Sequence, residues 1–290
     1  MIWILPLAVL GLVVGRFRLP TYLGWLVIVG LLSGVYFALL GADPIVRMVG
    51  ICVVLLTGMK SLVYTAWGGH LPWGRYLVFT MGWFGMDPGT FKTRREDLSW
   101  KEDVGWGVGM MVLGTMGAWV VWMMGWRQIL VMFLPMSIGF HFGALRVLKG
   151  ALRRAGFPVR TLFPNLLKAR GVADFWSRRW NVGYSQMMQR VVGRPIESVL
   201  GREAGIFGAF LVSGLLHEVA ITLPVNSGYG LPTAFFAGHG FLVLLEGKLG
   251  RPLGRVPALL AVALPLGFLF PPEFQSEVIE RCLHIFGLLT

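Results

Sequence analysis

The chain has 290 residues, of which 56% are hydrophobic and only 14% charged, and its mean hydropathy is +0.69. A soluble domain carries about 25% charged residues, so a soluble fold is excluded. The apolar runs are continuous rather than alternating, which excludes an outer-membrane barrel. The net charge of +12 would suggest nucleic acid in a soluble protein. Here the basic residues cluster in the connections, as cytoplasmic loops of membrane proteins do, and no nucleic-acid partner is expected. Cys52 and Cys282 lie in apolar surroundings, and no Cys/His cluster has metal-ligand spacing. Neither a metal site nor a disulfide framework is expected.

In chain order, Met1–Gly15 is apolar and stops at Arg16 and Arg18. It lacks a basic leader and a small-residue cleavage site, and reads as a retained helix. Thr21–Gly41 and Ile45–Trp67 read as spans; Lys60, inside the second, is expected to snorkel to an interface. Gly69–Asp87 is broken by His70, Pro72 and Arg75 and reads as an interfacial or re-entrant element. Lys92–Asp103 mixes both signs and is expected to be a short solvated loop or interfacial helix. Val104–Gly125 and Arg127–Lys149 read as a pair of spans, the second carrying His141 in Gly139-Phe-His-Phe-Gly143.

Residues 149–202 form the one long polar region. Its basic residues are opposed only by Asp174 and Glu197, so it is expected in the cytoplasm as amphipathic surface helices. Gly205–Pro224 then spans, followed by a turn at Asn226–Gly228 and a return through Tyr229–Gly247 with His239. Val256–Phe270 and Val278–Leu289 close the chain. The pattern predicts an all-α polytopic membrane protein of about eight to ten transmembrane helices with interfacial helices. Residues 1–290 read as a single membrane-embedded domain in a bacterial inner membrane.

The chemistry gathers at two stretches. His217 and Glu218 sit inside the Gly205–Pro224 run, where ionisable groups are costly and usually mark a site. A neutral imidazole there can accept a proton from a hydroxyl, which suits His217 as a general base. Ser213 and Gly214 flank its helix face. They leave room for a substrate chain, or simply let a neighbouring helix approach. Glu218 is turned roughly 100° from His217 and either pairs with a basic residue or lines a tunnel mouth. Ahead of this run lies Asp174-Phe-Trp176-Ser-Arg178-Arg179-Trp180-Asn181. The Asn181 amide can donate to a developing oxyanion. Arg178 and Arg179 suit phosphate or lipid headgroups, and Trp176 and Trp180 suit a membrane interface. His141 serves either as a structural hydrogen-bonding residue or as part of a cavity.

At these residues the chain resembles the membrane-bound O-acyltransferase superfamily, most closely its wax synthase-like branch. In that superfamily an Asn, Asp or His in an aromatic-basic motif precedes a near-invariant membrane histidine. Here Asn181 and His217 are 36 positions apart. Phe84-Gly-Met-Asp-Pro88 also resembles a short motif of wax synthase-like proteins, with Phe84 where a Pro is expected. The resemblance covers roughly Phe84 to Glu246. It implies a helical core around a tunnel, acyl-CoA as co-substrate with no resident cofactor, and a fatty alcohol or other lipid alcohol as acceptor among membrane lipids. His217 would then be the base, Asn181 its assistant, and Trp176, Arg178, Arg179, Trp180, Ser213, Glu218 and His141 the substrate-binding set. The alternative is a membrane transporter or lipid-binding protein using His141, His217 and His239 as a relay.

Overall fold

The computed structural model describes residues 4–17, 19–96, 99–126 and 129–285. Arg18, the Arg127 start of one expected span and the end of the last lie outside the described residues. All regular structure among the described residues is helical.

Helix α1 (Ile4–Arg16) lies against α3 (Pro44–Trp67), with α2 (Thr21–Ala38) packed beside them. The ends of α3 follow from local chemistry. The Asp43 carboxylate accepts from the Ile45 N–H at 2.9 Å, and Pro44 fills the first turn. Gly68, at φ 74°, closes the helix in the left-handed conformation that a Cβ would strain. α1 and α3 meet closely because both present small residues. A Cβ on Gly15 would lie 2.3 Å from the Ser61 Cβ, and the Ser61 hydroxyl donates to the Gly11 carbonyl at 2.8 Å.

Helix α4 (Trp73–Met81) has nine residues, too short to cross a bilayer, so Gly69–Asp87 behaves as a non-crossing element. Lys60 corrects the expectation of snorkelling. It is fully buried, donating to the Phe79 carbonyl at 2.9 Å and to the Gly85 carbonyl, with its ammonium 4.1 Å from the Phe79 ring centroid. A buried ammonium needs acceptors, and the open loop after α4 has unpaired carbonyls to offer.

Helix α5 (Trp100–Met123) pairs with α6 (Ile129–Ser137) and α7 (Leu145–Arg154). A π-helical turn, Ile138–Ala144, joins α6 to α7. Asp103 is buried rather than solvated. Its carboxylate accepts from Lys149 at 2.9 Å, Arg153 at 2.9 Å and Arg146 at 3.2 Å. Lys149 also donates to the Thr161 hydroxyl at 2.7 Å, carrying the cluster into the next segment.

The polar region is built of short helices interrupted by π turns. They are α8 (Val172–Asp174) with the π turn Phe175–Arg179, α9 (Val182–Met188) with Gln189–Gly193, and α10 (Arg194–Leu200). Helix α11 (Arg202–His217) continues through the π turn Glu218–Thr222 into α12 (Leu223–Val225) and packs on α13 (Leu231–Leu249). One apolar core joins α2 and α3 to α9 and α11. A second, rich in aromatic residues, gathers Tyr64, Tyr76, Phe79, Phe91, Phe157 and Phe163.

Among the described residues, five helices are long and apolar enough to cross a membrane: Thr21–Ala38, Pro44–Trp67, Trp100–Met123, Val131–Arg154 and Arg202–Val225. A sixth is possible if the pair Arg255–Leu269 and Pro272–Leu283, bent by 76°, counts as one. The protein is thus an integral membrane protein, with fewer such helices than the eight to ten expected. The difference has physical causes. The 13 residues of α1 reach only about 20 Å. α13 carries His239, Glu246 and Lys248. The last apolar stretch is broken at Pro271-Pro272.

Asp103→Asn leaves three basic side chains facing a neutral amide in a buried setting. The expected loss is roughly 3–5 kcal/mol, read as a fall of roughly 10 °C in the thermal midpoint of the detergent-solubilised protein. An unchanged midpoint would mean that the cations find other partners.

Candidate active site

His217 is the last residue of α11. Its Nδ1 lies 2.6 Å from the Ser213 carbonyl. A carbonyl only accepts, so Nδ1 carries the proton and Nε2 keeps its lone pair. The helix itself therefore selects the tautomer that a base requires. The imidazole packs on Phe236 of α13, with ring centroids 4.3 Å apart, and on Tyr184 of α9 at 5.8 Å.

Asn181 caps α9. It sits at φ 39°, a left-handed conformation that Asn tolerates better than most residues. Its Oδ1 accepts from the Tyr184 N–H at 3.3 Å. No hydrogen bond joins Asn181 to His217 directly. Tyr184 stands between them, and Ser213 donates to its hydroxyl at 3.1 Å. Burial pushes the Tyr184 phenol up to about 12, so it stays protonated. Tyr184 is the residue that sequence reasoning missed. Its only signal was its place three positions after Asn181.

The other expected residues divide. Trp176 packs against Phe210, Phe235, Phe236 and His239, and its buried indole N–H has no acceptor. Trp180 packs on Phe163 and on His141, at 5.2 Å from the latter. His141 hydrogen-bonds the Ser137 hydroxyl at 2.9 Å through Nδ1. It also lines a small, partly open pocket with Trp83, Arg146, Lys149, Thr161 and Phe163. Arg179 pairs with Asp174 at 3.3 Å, while Arg178 is exposed with no ion pair among the described residues. His239 is buried and shares the tautomer logic of His217, its Nδ1 2.7 Å from the Phe235 carbonyl.

Among the described residues Glu218 meets no basic side chain. Its carboxylate accepts from the Gly230 N–H at 2.9 Å, the Thr233 N–H at 3.0 Å, the Thr233 hydroxyl at 2.8 Å and the Thr222 hydroxyl at 2.7 Å. It therefore caps the start of α13, satisfying donors that a helix leaves open at its N-terminus.

Near the other end of α13, Glu246 does the converse. It is buried, and its two oxygens accept from the N–H groups of Val172, Ala173 and Leu253, each at 2.9 Å. Gly171 is required by this approach, because a Cβ there would lie 2.2 Å from Glu246 Oε1. Glu246 thus anchors the aromatic-basic motif to the helix that packs on His217. The Phe84–Pro88 stretch also reaches the site. A Cβ on Gly183 would touch Gly85 Cα at 3.0 Å, and Lys60 holds the Gly85 carbonyl from the far side. Among the described residues no group of three or more metal-ligating side chains converges.

Residues 159–238 match the family described as "Membrane bound O-acyl transferase family". The match contains Asn181, Tyr184, Ser213 and His217. The chain is 28% identical over 157 residues to "Probable long-chain-alcohol O-fatty-acyltransferase 2" of Arabidopsis thaliana, covering 46% of each chain. It is 35% identical over 136 residues to "Probable long-chain-alcohol O-fatty-acyltransferase 6" of the same plant, covering 40% of this chain and 39% of the relative. It is also 30% identical over 143 residues to its "Acyl-CoA--sterol O-acyltransferase 1", covering 42% of this chain and 41% of the relative. The matched part spans less than half the length of these relatives.

Glu246→Ala strips a buried carboxylate from three backbone donors, at roughly 1.5–3 kcal/mol per bond. Hydrogen exchange followed by mass spectrometry should show faster exchange at residues 171–176 while α5 and α7 keep their protection. Unchanged exchange at 171–176 would mean that the motif is held without Glu246.

Proposed function

We propose that the chain is a member of the membrane bound O-acyl transferase family that residues 159–238 match, in its wax synthase-like branch, and that it transfers a fatty acyl group from acyl-CoA to a lipid alcohol. The observation that carries this reading is the His217 imidazole, fixed by the Ser213 carbonyl with Nε2 available. In the reaction, the acceptor hydroxyl gives its proton to His217 Nε2 as its oxygen attacks the thioester carbonyl carbon. Asn181 Oδ1 is occupied by Tyr184, which leaves the Nδ2 amide to donate to the carbonyl oxygen as charge develops there. The C–S bond then breaks and the CoA sulfur takes the proton back from His217. The products are an ester and free CoA, with no covalent acyl-enzyme.

The pocket beside His141 suits the polar end of the donor. Arg146 and Lys149 line it, and arginine forks pair well with phosphate. The aromatic cluster of Trp176, Phe210, Phe235 and Phe236 suits the acyl chain in a tunnel. In this reading residues 1–290 act as one membrane-embedded domain. The acceptor class follows the relatives named for long-chain alcohols.

A transfer assay in detergent, with long-chain acyl-CoA and a panel of fatty alcohols and sterols, tests this directly. Wild type should release CoA thiol and ester in equal amounts. His217→Ala should abolish both with folding intact, and turnover by that variant would overturn the base assignment. Asn181→Gly, which keeps the left-handed backbone, should lower kcat by roughly 10²-fold; an unchanged rate would make Asn181 a purely structural cap.

A further inference from the structure

Three contacts around His217 close on themselves, and a fourth ties Asn181 to them. The Asn181 amide oxygen accepts from the Tyr184 N–H at 3.3 Å. The Tyr184 hydroxyl accepts from the Ser213 hydroxyl at 3.1 Å. The Ser213 carbonyl accepts from His217 Nδ1 at 2.6 Å. The Tyr184 and His217 rings meet edge to face, 76° apart in plane with centroids at 5.8 Å. Ser213 therefore serves twice, through its hydroxyl and through its carbonyl, and it is only 5% exposed. Two of these residues belong to α9 and its cap, and two to α11. The loop closes only when both elements are in place.

We propose that Tyr184 is the positioning residue that holds Asn181 and His217 as one unit, with Ser213 as its counterpart on α11. The inference rests on the acyl-transfer reading of the same site and adds to it the group that fixes the geometry. Holding matters because a base and an amide donor must meet one carbonyl at the same time. Reacting groups lose most of their advantage when they stray by about 1 Å. Asn181 sits at the cap of a short helix, and His217 sits where α11 passes into a π turn. Neither has the rigidity of a helix interior. Tyr184 supplies it from the first turn of α9, through the hydroxyl that accepts from Ser213 and the ring that packs on His217.

The test compares Tyr184→Phe, Ser213→Ala and the double variant, each purified in detergent beside wild type. Tyr184→Phe keeps the ring against His217 and removes only the hydroxyl. Each single change should lower kcat about tenfold, with KM for acyl-CoA and for the alcohol unchanged. The double variant should be no slower than the slower single, because both delete the same hydrogen bond. A merely structural role would instead give additive losses that follow the melting temperature.

A second readout needs no turnover. The rate at which diethyl pyrocarbonate modifies His217, followed by mass spectrometry, should change several-fold in both singles and no further in the double. Wild-type kcat in Tyr184→Phe, additive losses, or an unchanged modification rate would each overturn the proposal. If Ser213→Ala fails to fold, Tyr184→Phe alone decides it. Failure of wild type to transfer acyl groups to any acceptor overturns the acyl-transfer reading instead, and the modification rates then decide the positioning role.

Discussion

A carboxylate taken out of water must be met by donors, and the fold around α13 is arranged by two that reach across to backbone N–H groups of other segments. Glu218 reaches from α11 to cap the first turn of α13. Glu246, near the far end of α13, takes the backbone N–H groups that open the aromatic-basic motif. Between them, α11, α13 and the motif are tied into one body. Apolar packing alone would let these helices slide, because apolar surface is satisfied over a range of offsets. Hydrogen bonds to fixed backbone positions have one register.

The same economy of partners runs through the site. The ring of His217 is fixed by the carbonyl one turn earlier in its own helix, and Lys60 by the Phe79 carbonyl in the last turn of α4 and the Gly85 carbonyl of the loop after it. The Lys60 ammonium thus satisfies backbone that would otherwise be open in an apolar interior. Five buried side-chain atoms among the described residues are without a hydrogen bond, on Arg47, Trp122, Trp176, Arg190 and His239. Two of them, the Trp176 indole N–H and His239 Nε2, belong to rings 5.3 Å apart in the aromatic cluster that also holds Phe236, the ring against His217.

Much of this was legible in the sequence. The apolar run Ile45–Trp67 predicts α3 to within one residue of its start, and the cost of burying His217 in an apolar run marks the candidate site before any geometry is known. What escaped had one cause: the partners of buried charges lie far away along the chain. Asp103 meets Lys149 46 positions on, and Glu246 meets Val172 74 positions back. Local pattern distinguishes an apolar face from a polar one but cannot name a distant partner. Asp103 therefore reads as part of a solvated loop or interfacial helix, Lys60 as snorkelling, and Glu218 as paired with a basic residue or lining a tunnel mouth. Tyr184 escaped for the same reason, since its link to Ser213 spans 29 positions.

The π turns carry a consequence for how this chain can vary. Ile138–Ala144 contains His141, Phe175–Arg179 contains Trp176, and Glu218–Thr222 follows directly on His217. Each wide turn holds one residue more than an α-helical path through the same space would. Removing that residue would let the helix relax to its ordinary pitch and swing every side chain on one flank by about 100°. Around the candidate site, then, the chain is less tolerant of a lost residue than of a changed one. Related sequences that differ in length through these turns would present a differently shaped interior even with every named side chain retained.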